Sequence, residues 1–230
     1  MDSLINIAKK HKIQIVEDAC LAAGSVFNNK KIGSIGDITV FSTNPGKILD
    51  GIGHGGIITT NNKDYYLKLK KLRDYGRDKR PGKWPIKSKI IGYNSKLSTL
   101  DAAILNLRLK KLNWYIKKRN FHANLYKELL NSNNIKYQIP YKNSVPAWRN
   151  FPIRVENRNY IYDKLYDKNL KVRLNYIPPN HLDDCYKNIN KKIKLPITEK
   201  ISSEIINLPC HPYMTINEIK IICKEVLKLV

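Results

Sequence analysis

Short apolar runs alternate with amphipathic helical segments through the first half of the chain, and this alternation limits the possible folds more than any other feature. The pattern predicts a helix at residues 2–11, strands at residues 13–16, 38–42 and 56–60, and a helix at residues 62–75. The strand-like runs are short and apolar enough for a buried sheet. Strands that alternate with helices in this way predict an α/β fold.

The second half of the chain departs from this alternation. After a loop over residues 76–96, apolar residues from Leu97 to Leu107 recur at helical spacing, in a helix that either continues or kinks into residues 114–130. Further strands are predicted at residues 137–139, 151–155 and 171–175, with helices at residues 160–168 and after Thr215. We therefore expect a mainly parallel sheet with helices in residues 1–112 and a smaller α+β domain in residues 113–230.

The net charge of +23 raises the question of nucleic-acid binding, because clustered lysines and arginines neutralise phosphates. The basic residues are instead spread along the chain, and runs such as Lys117, Lys118 and Arg119 are expected on exposed helix faces. No zinc-finger or aromatic RNA-binding signature accompanies them. We expect no nucleic-acid partner, and a basic binding module is the weaker alternative.

The sequence also predicts a cytoplasmic protein with no membrane partner. No apolar run is long enough to cross a bilayer, and the first residues lack the apolar core of a secretory signal. The cysteines show no C-x-x-C spacing and no clustering with histidines, so neither a metal site nor a disulfide framework is predicted. They are expected to be reduced and mostly buried: Cys20, Cys185, Cys210 and Cys223.

The stretch FSTNPGKILDGIGHGG, residues 41–56, places Lys47 among five glycines directly after a predicted strand. Asp18 follows an earlier strand, and Ser42 ends the strand before the lysine. These three residue types suit pyridoxal phosphate, because an amine forms a Schiff base with its aldehyde, a carboxylate keeps its ring nitrogen protonated and a hydroxyl contacts its phosphate. The alternative is that Asp18 caps a turn, Ser42 ends a strand and Lys47 is one of many solvated lysines.

Several motifs, in order along nearly the whole chain, resemble the DegT/DnrJ/EryC1/StrS family of sugar aminotransferases. They are VEDACLAAGSVFNNKKIGSIGDITVFSTNPGKILDGIGHGGIITT, LRDYGRD, IGYNSKLSTLDAAIL, FPIRVENR and INLPCHPYMTINEI. The resemblance implies a fold type I pyridoxal-phosphate enzyme, with part of its large domain followed by its smaller C-terminal domain. It implies transamination between an amino acid, glutamate in the first place, and a keto sugar carried on a nucleotide.

The resemblance also implies roles for single residues. Asp18 matches the aspartate that pairs with the pyridinium nitrogen, Ser42 the phosphate-contacting serine and Lys47 the Schiff-base lysine. Related dehydratases carry histidine at the lysine position, so Lys47 favours transamination. Asn94 of the G-Y-N motif matches an asparagine that reaches the cofactor phosphate of a neighbouring subunit, which implies a homodimer. By their positions along the chain, Tyr93 and His181 are candidates for substrate binding, and so are Trp148 and Arg149.

Two kinds of departure from the family pattern bear on these expectations. Single residues differ where the family favours other side chains: Leu21, Ala23, His54 and Lys96. Family members also have a long portion before the E-D-A strand, which supplies strands, a phosphate-binding loop and an aromatic that stacks on the cofactor. Three explanations for the missing portion are open: a separately encoded N-terminal chain supplies it, the sequence is cut from a longer protein, or the gene product is truncated. The alternative function is that of a non-catalytic remnant or a partner subunit of such an aminotransferase.

Overall fold

The computed structural model describes residues 1–78, 87–132, 134–186 and 193–230, and the predicted loop residues Pro81, Gly82 and Pro85 lie outside this range. The first part of the chain contains α1 Asp2–His11, β1 Val16–Asp18, β2 Val26–Phe27, β3 Lys30–Lys31, β4 Ile38–Ser42, β5 Gly56–Thr59, α2 Lys63–Leu72 and α3 Thr99–Lys110. It continues with α4 Leu112–Leu129, β6 Lys136–Tyr137, β7 Ser144–Val145, β8 Asn150–Arg154, α5 Arg158–Asp167, α6 Pro196–Glu204, β9 Ile205–Pro209 and α7 Ile216–Leu227.

The chain folds as two compact units. The first comprises Met1–Trp114 together with Lys142–Ala147, and the second comprises Tyr115–Tyr141 together with Trp148–Val230. The division falls inside α4, and the segment that carries β7 returns to the first unit to pair with β2. None of the helices in the described ranges combines the length and the hydropathy that crossing a bilayer requires.

A three-stranded sheet in the order β1-β4-β5 positions the candidate site of the first unit. β1 runs parallel to β4 with Asp18 opposite Val40, and β5 runs antiparallel to β4 with Gly56 opposite Ser42. The carboxyl ends of β1 and β4 therefore lie side by side at one edge, where open α/β sheets place ligand-contacting groups. The strands are not fully buried as expected, because β5 alternates between exposed and half-buried residues and Ile58 is 49% exposed.

The strand predicted at residues 13–16 is displaced toward its C-terminus, since β1 begins at Val16 and includes Asp18. The Ile13 N–H donates to Ala8 O at the end of α1, and the Ile15 N–H donates to Asp37 Oδ2 at 2.7 Å, so that Ile15 is joined to β4 only through its carbonyl oxygen, which accepts the Ile38 N–H. The helix preceding them ends at Lys12 in the left-handed conformation. The predicted helices at residues 2–11 and 62–75 are confirmed as α1 and α2.

The second unit is built on the antiparallel sheet β6-β8-β9 with helices α4, α5 and α7. Its core holds fully buried apolar side chains from each of these helices and from β8 and β9, among them Tyr126, Phe151, Ile161, Leu208 and Ile219. The capping box of Thr215 and Glu218 is confirmed at the start of α7. The strand predicted at residues 171–175 is wrong, because only Arg173 pairs there, with Asn207 of β9, and Val172 is tied into a turn with Leu170.

Arg119 corrects the prediction of an exposed basic run. Lys117 and Lys118 are exposed, but Arg119 is only 7% exposed. Its Nη1 atom donates to the carbonyl oxygens of Trp148 at 2.9 Å and Cys210 at 2.8 Å. The guanidinium therefore ties α4 to the residues that precede β8 and follow β9, and it is a structural group of the second unit and not part of a surface charge patch.

Candidate active site

Asp18 is the last residue of β1, and the turn that follows it is held by two backbone contacts. The Ala19 N–H donates to Val40 O at 2.8 Å, which continues the pairing of β1 with β4. The Cys20 N–H turns back and donates to Asp18 Oδ1 at 3.1 Å. The Asp18 side chain remains exposed at the sheet edge, so its carboxylate is oriented by the turn and accessible to a ligand.

Cys20 is the residue of this site that sequence reasoning missed. The pKa of its thiol is raised, mainly by a hydrogen bond with the Asp18 carboxylate, and the backbone of Ser42 opposes this shift. The half-buried side chain thus links the ends of β1 and β4. The sequence offered one signal, namely its position two residues after the aspartate, but a cysteine without C-x-x-C spacing drew no attention. Of the other cysteines, Cys210 and Cys223 are buried and Cys185 is exposed.

The pKa of Asp18 lies below its ordinary value. Hydrogen bonds from the side chain and the backbone N–H of Cys20 are the main cause, and the Lys47 ammonium lowers the pKa further. These partners favour the ionised carboxylate. The Lys47 ammonium therefore lies within electrostatic range of the Asp18 carboxylate, although the two residues are on different turns.

We predict that Cys20→Ala raises the pKa of Asp18. The variant removes the thiol donor that favours the ionised carboxylate, while the Cys20 N–H contact to Oδ1 is retained. Cys20→Ser restores a donor of similar size and should keep the pKa lowered. A ¹³C NMR titration of the Asp18 carboxyl carbon measures both variants, and identical titration curves for Cys20→Ala and the unmodified chain would contradict the prediction.

Lys47 lies on a loop that closes on itself after β4. The Thr43 N–H donates to Gly55 O at 2.9 Å, and the Gly51 N–H donates to Thr43 O at 2.7 Å. Gly46, just before the lysine, has a φ of 82°, a conformation that favours glycine and turns the chain toward Lys47. The Lys47 side chain is half-buried. The loop therefore holds one amine near the carboxyl ends of the strands.

Ser42 places a hydroxyl at the end of β4. Its Oγ accepts a hydrogen bond from the Asn44 N–H at 3.4 Å, which leaves the hydroxyl hydrogen able to donate to a ligand. Asp18 and Ser42 thus lie at the carboxyl ends of neighbouring parallel strands, and Lys47 lies on the loop that follows Ser42. The arrangement offers a carboxylate, a hydroxyl and an amine to a single small molecule.

Asn94 and Tyr93 lie on another segment of the first unit. Backbone pairing of Asn94 with Asp74 holds the segment against the end of α2. The side chains of Tyr93 and Asn94 are exposed. Lys96 nearby forms an ion pair of 3.1 Å with the buried carboxylate of Asp74. Lys96, one of the departures from the family pattern, thus places a cation beside this aspartate. The other departures differ in exposure, with Leu21 and His54 exposed and Ala23 buried.

His181 belongs to the second unit. Its Nε2 atom lies 3.1 Å from Glu199 Oε1, and this contact contributes to lowering the pKa of Glu199, after the larger effect of the Leu195 N–H. The ring borders an open depression of about 570 Å³ that Tyr176 and Tyr186 also line. Arg149 donates to the hydroxyl of Tyr176, and Trp148 is buried in the core. The substrate-binding roles of these residues stay predictions.

The order of these elements finds a counterpart among known proteins. A profile of the DegT/DnrJ/EryC1/StrS aminotransferase family matches residues 1–227. The chain belongs to the DegT/DnrJ/EryC1/StrS aminotransferase family. The family resemblance and the α/β fold class predicted from the sequence are both confirmed.

Relatives of this family member include transaminases of nucleotide-linked sugars. It is 33% identical over 226 residues to the dTDP-3-amino-3,6-dideoxy-alpha-D-galactopyranose transaminase of Aneurinibacillus thermoaerophilus, over 98% of its own length and 61% of the relative. It is 28% identical to the UDP-4-amino-4,6-dideoxy-N-acetyl-beta-L-altrosamine transaminase of Campylobacter jejuni, over 96% of its own length and 60% of the relative.

A solved structure shows the same fold. The structure of S. venezuelae DesV in complex with ketimine intermediate superposes with a TM-score of 0.91 at 28% identity, over 100% of this chain and 61% of that one. The family member therefore spans about 60% of the length of the relatives it matches.

Proposed function

We propose that the chain takes part in pyridoxal-phosphate-dependent transfer of an amino group from an amino acid, glutamate in the first place, to a nucleotide-linked keto sugar. The observation that carries this proposal is that Asp18 and Ser42 end the adjacent parallel strands β1 and β4, with Lys47 on the loop directly after β4. The relatives support a nucleotide-linked sugar as the substrate, because their names describe transaminases of dTDP- and UDP-linked amino sugars. We place this chemistry in the cytoplasm.

The residues present fit pyridoxal phosphate. Hydrogen bonds with Cys20 lower the pKa of Asp18 and so favour its ionised form, the form that a partner for a protonated ring nitrogen must have. Ser42 Oγ can donate to a phosphate oxygen, and Lys47 Nζ is the amine for covalent attachment. When bound, the cofactor would supply an aldehyde carbon that takes up an amine and a cationic ring that accepts electrons.

The chain's own residues would move and hold protons around that group. Lys47 Nζ, once released by the incoming amino acid, would take a proton from the α-carbon of the amino donor. It would then give this proton to the former aldehyde carbon of the cofactor, so the lysine would act first as general base and then as general acid. Asp18 Oδ1 and Oδ2 would hold the ring N–H proton in place throughout. Cys20 would keep the Asp18 carboxylate in its ionised form.

The direct test incubates the chain with pyridoxal phosphate, glutamate and a nucleotide-linked keto sugar. Because the chain covers 61% of the Aneurinibacillus relative, the assay is run with and without the remaining part of that relative supplied as a second chain. Mass spectrometry should find 2-oxoglutarate and the amino sugar nucleotide in at least one of the two mixtures. A completed mixture that binds the cofactor and yields neither product would reject the proposed reaction.

A non-catalytic partner subunit is the second candidate. The observation that favours it is Leu21, which is exposed three residues after Asp18 and cannot donate a hydrogen bond to a cofactor. This candidate requires the fold without turnover. Products that form only when Lys47 is present would exclude it, and cofactor binding without products in the completed mixture would support it.

We further propose a homodimer in which Asn94 completes the site of the neighbouring subunit. The exposure of the Asn94 side chain supports this role. We predict that Lys47→Ala and Asn94→Ala, each inactive alone, regain activity when mixed, because a mixed dimer has one site with both residues intact. The regained activity should approach one quarter of normal if subunits exchange at random, and two inactive variants that stay inactive after subunit exchange has been verified would contradict the shared site.

A further inference from the structure

Side chains of helix α3 contact the loop that carries Lys47 and fix its backbone. Asp101, in the first turn of α3, is 7% exposed, and its Oδ1 atom accepts the N–H of Ile52 at 2.8 Å and the N–H of Gly53 at 3.1 Å. These two amides belong to the glycine-rich half of the loop, forty-nine and forty-eight residues away in the chain. A single buried oxygen therefore fixes the direction of two consecutive peptide groups.

The glycines of this loop allow the carboxylate to approach. A Cβ atom at Gly51 would lie 2.6 Å from Asp101 Oδ1, and one at Gly53 would lie 2.9 Å from Asp101 Oδ2. Both distances are shorter than side chains tolerate, so the carboxylate occupies the space that larger residues would fill. The fit of loop and helix is thus specific to an acceptor at position 101 and glycines at positions 51 and 53.

A second contact from the same helix acts closer to the lysine. Arg108, two turns after Asp101, donates to Asp50 O at 2.6 Å and pairs with the Asp50 carboxylate. The other carboxylate oxygen of Asp50 accepts the N–H of Gly46 at 3.2 Å. Gly46 directly precedes Lys47, so the contacts run from α3 through Asp50 to the turn that bears the amine.

Local helix capping does not account for the Asp101 carboxylate. Ser98 caps α3 by accepting the Asp101 N–H at 3.4 Å. An acidic residue three positions after such a cap can reach back to the capping residue. Here its carboxylate bonds to the loop amides instead. In the sequence the pattern S-T-L-D indicates only a local helix cap, so it gives no sign of the loop contact.

We propose that Asp101 is a positioning residue that holds the glycine-rich loop so that Lys47 faces Asp18. The inference rests on the proposed function, in which Lys47 is the residue that attaches the cofactor. The acceptor oxygen carries the effect, and the negative charge is not required, because both loop contacts are made to Oδ1.

Three variants separate the acceptor from the volume and the charge. Asp101→Asn keeps a carbonyl oxygen in the position of Oδ1 and removes the charge. Asp101→Leu keeps a similar volume and removes the acceptor. The matched control is Asn62→Ala, because Asn62 Oδ1 likewise accepts two backbone N–H groups, those of Asp64 at 2.8 Å and Tyr65 at 3.1 Å, at the start of α2. The control destabilises the same unit through a different helix.

The first readout is the rate at which pyridoxal phosphate attaches to Lys47, trapped by borohydride and measured by peptide mass spectrometry. Loss of two hydrogen bonds should slow attachment roughly 5- to 100-fold in Asp101→Leu. Asp101→Asn should stay within about 3-fold of the unmodified chain, and Asn62→Ala should not slow attachment at all, since neither loses the loop acceptor. Asp101→Leu at the normal rate, or Asp101→Asn as slow as Asp101→Leu, would overturn the proposal.

The second readout does not depend on the cofactor. Hydrogen exchange of the amides in residues 50–55 should accelerate in Asp101→Leu and stay slow in Asp101→Asn, and unchanged exchange in Asp101→Leu would overturn the anchoring role even if the proposed function failed. Attachment to a lysine other than Lys47 in the unmodified chain would instead reject the proposed function. If Asp101→Leu does not fold, Gly53→Ala tests the same contact, because its Cβ would lie 2.9 Å from Asp101 Oδ2.

Discussion

Replacing Lys47 with alanine is expected to abolish covalent attachment of pyridoxal phosphate and to lower exchange of the glutamate α-proton at least 10²- to 10⁴-fold, the range that a positioned general base contributes. Lys47 is the amine whose charge acts on Asp18, and its loop places it at the end of β4. Loss of the visible absorbance of the lysine-bound cofactor measures attachment, and NMR in D₂O measures α-proton exchange. Both measurements use the chain with or without the added second chain, whichever of these two mixtures yields the products.

Two variants control for charge and for lysine number. Lys47→Arg retains a cation near Asp18 and should be as inactive as Lys47→Ala, because a guanidinium does not give up its proton to act as a base. Lys30→Ala removes an exposed lysine of β3 and should leave both readouts unchanged. Attachment or α-proton exchange at the normal level in Lys47→Ala would contradict the assigned role of the lysine.

Arg119→Met is expected to lower the free energy of unfolding of the second unit by about 3 kcal/mol, because buried carbonyl oxygens lose a charged donor. The Arg119 Nη1 atom contacts the carbonyls of Trp148, Arg149 and Cys210 within 3.2 Å. Methionine fills much of the same volume without a donor. Urea unfolding followed by the tryptophan fluorescence measures the change.

The neighbouring lysine provides the matched control for Arg119. Lys118→Met changes the same charge on the same helix at an exposed position, and it should alter the free energy of unfolding by less than about 0.5 kcal/mol. Equal effects of the two substitutions would contradict the structural role of Arg119. Tyr126 of α4 also contacts this end of β9, because its hydroxyl donates to Pro209 O at 2.9 Å. Arg119 is therefore not the sole α4 side chain that donates to carbonyl oxygens near residue 210.

The sequence could predict those parts of the fold and candidate site that depend on local pattern. The strand at residues 38–42, the helices α1 and α2 and the capping box at Thr215 all follow from spacing and capping, and the structure confirms them. Asp18, Ser42 and Lys47 were selected together because each follows or ends a strand in the order that a known family repeats. The structure brings these three to one sheet edge.

The parts that could not be predicted depend on contacts between distant residues. Asp101 reaches a loop forty-nine residues earlier, and Arg108 reaches Asp50 at a separation of fifty-eight residues. Arg119 was placed on the surface because its neighbours are lysines, although its partners lie near residues 148 and 210. The strand predicted at residues 13–16 moved because a side-chain acceptor, Asp37, satisfies the Ile15 N–H outside the ladder.

The site at which pyridoxal phosphate attaches, in a chain with 33 lysines, is the most direct measurement of the role of Lys47. The chain, completed as described above, is reduced with borohydride at limiting cofactor, and the modified peptides are identified by mass spectrometry. We predict that the adduct is concentrated on Lys47 and is lost in Asp18→Asn, which cannot offer the ring nitrogen an ionised carboxylate. An adduct spread over exposed lysines such as Lys30, with Lys47 no more modified than they are, would contradict it.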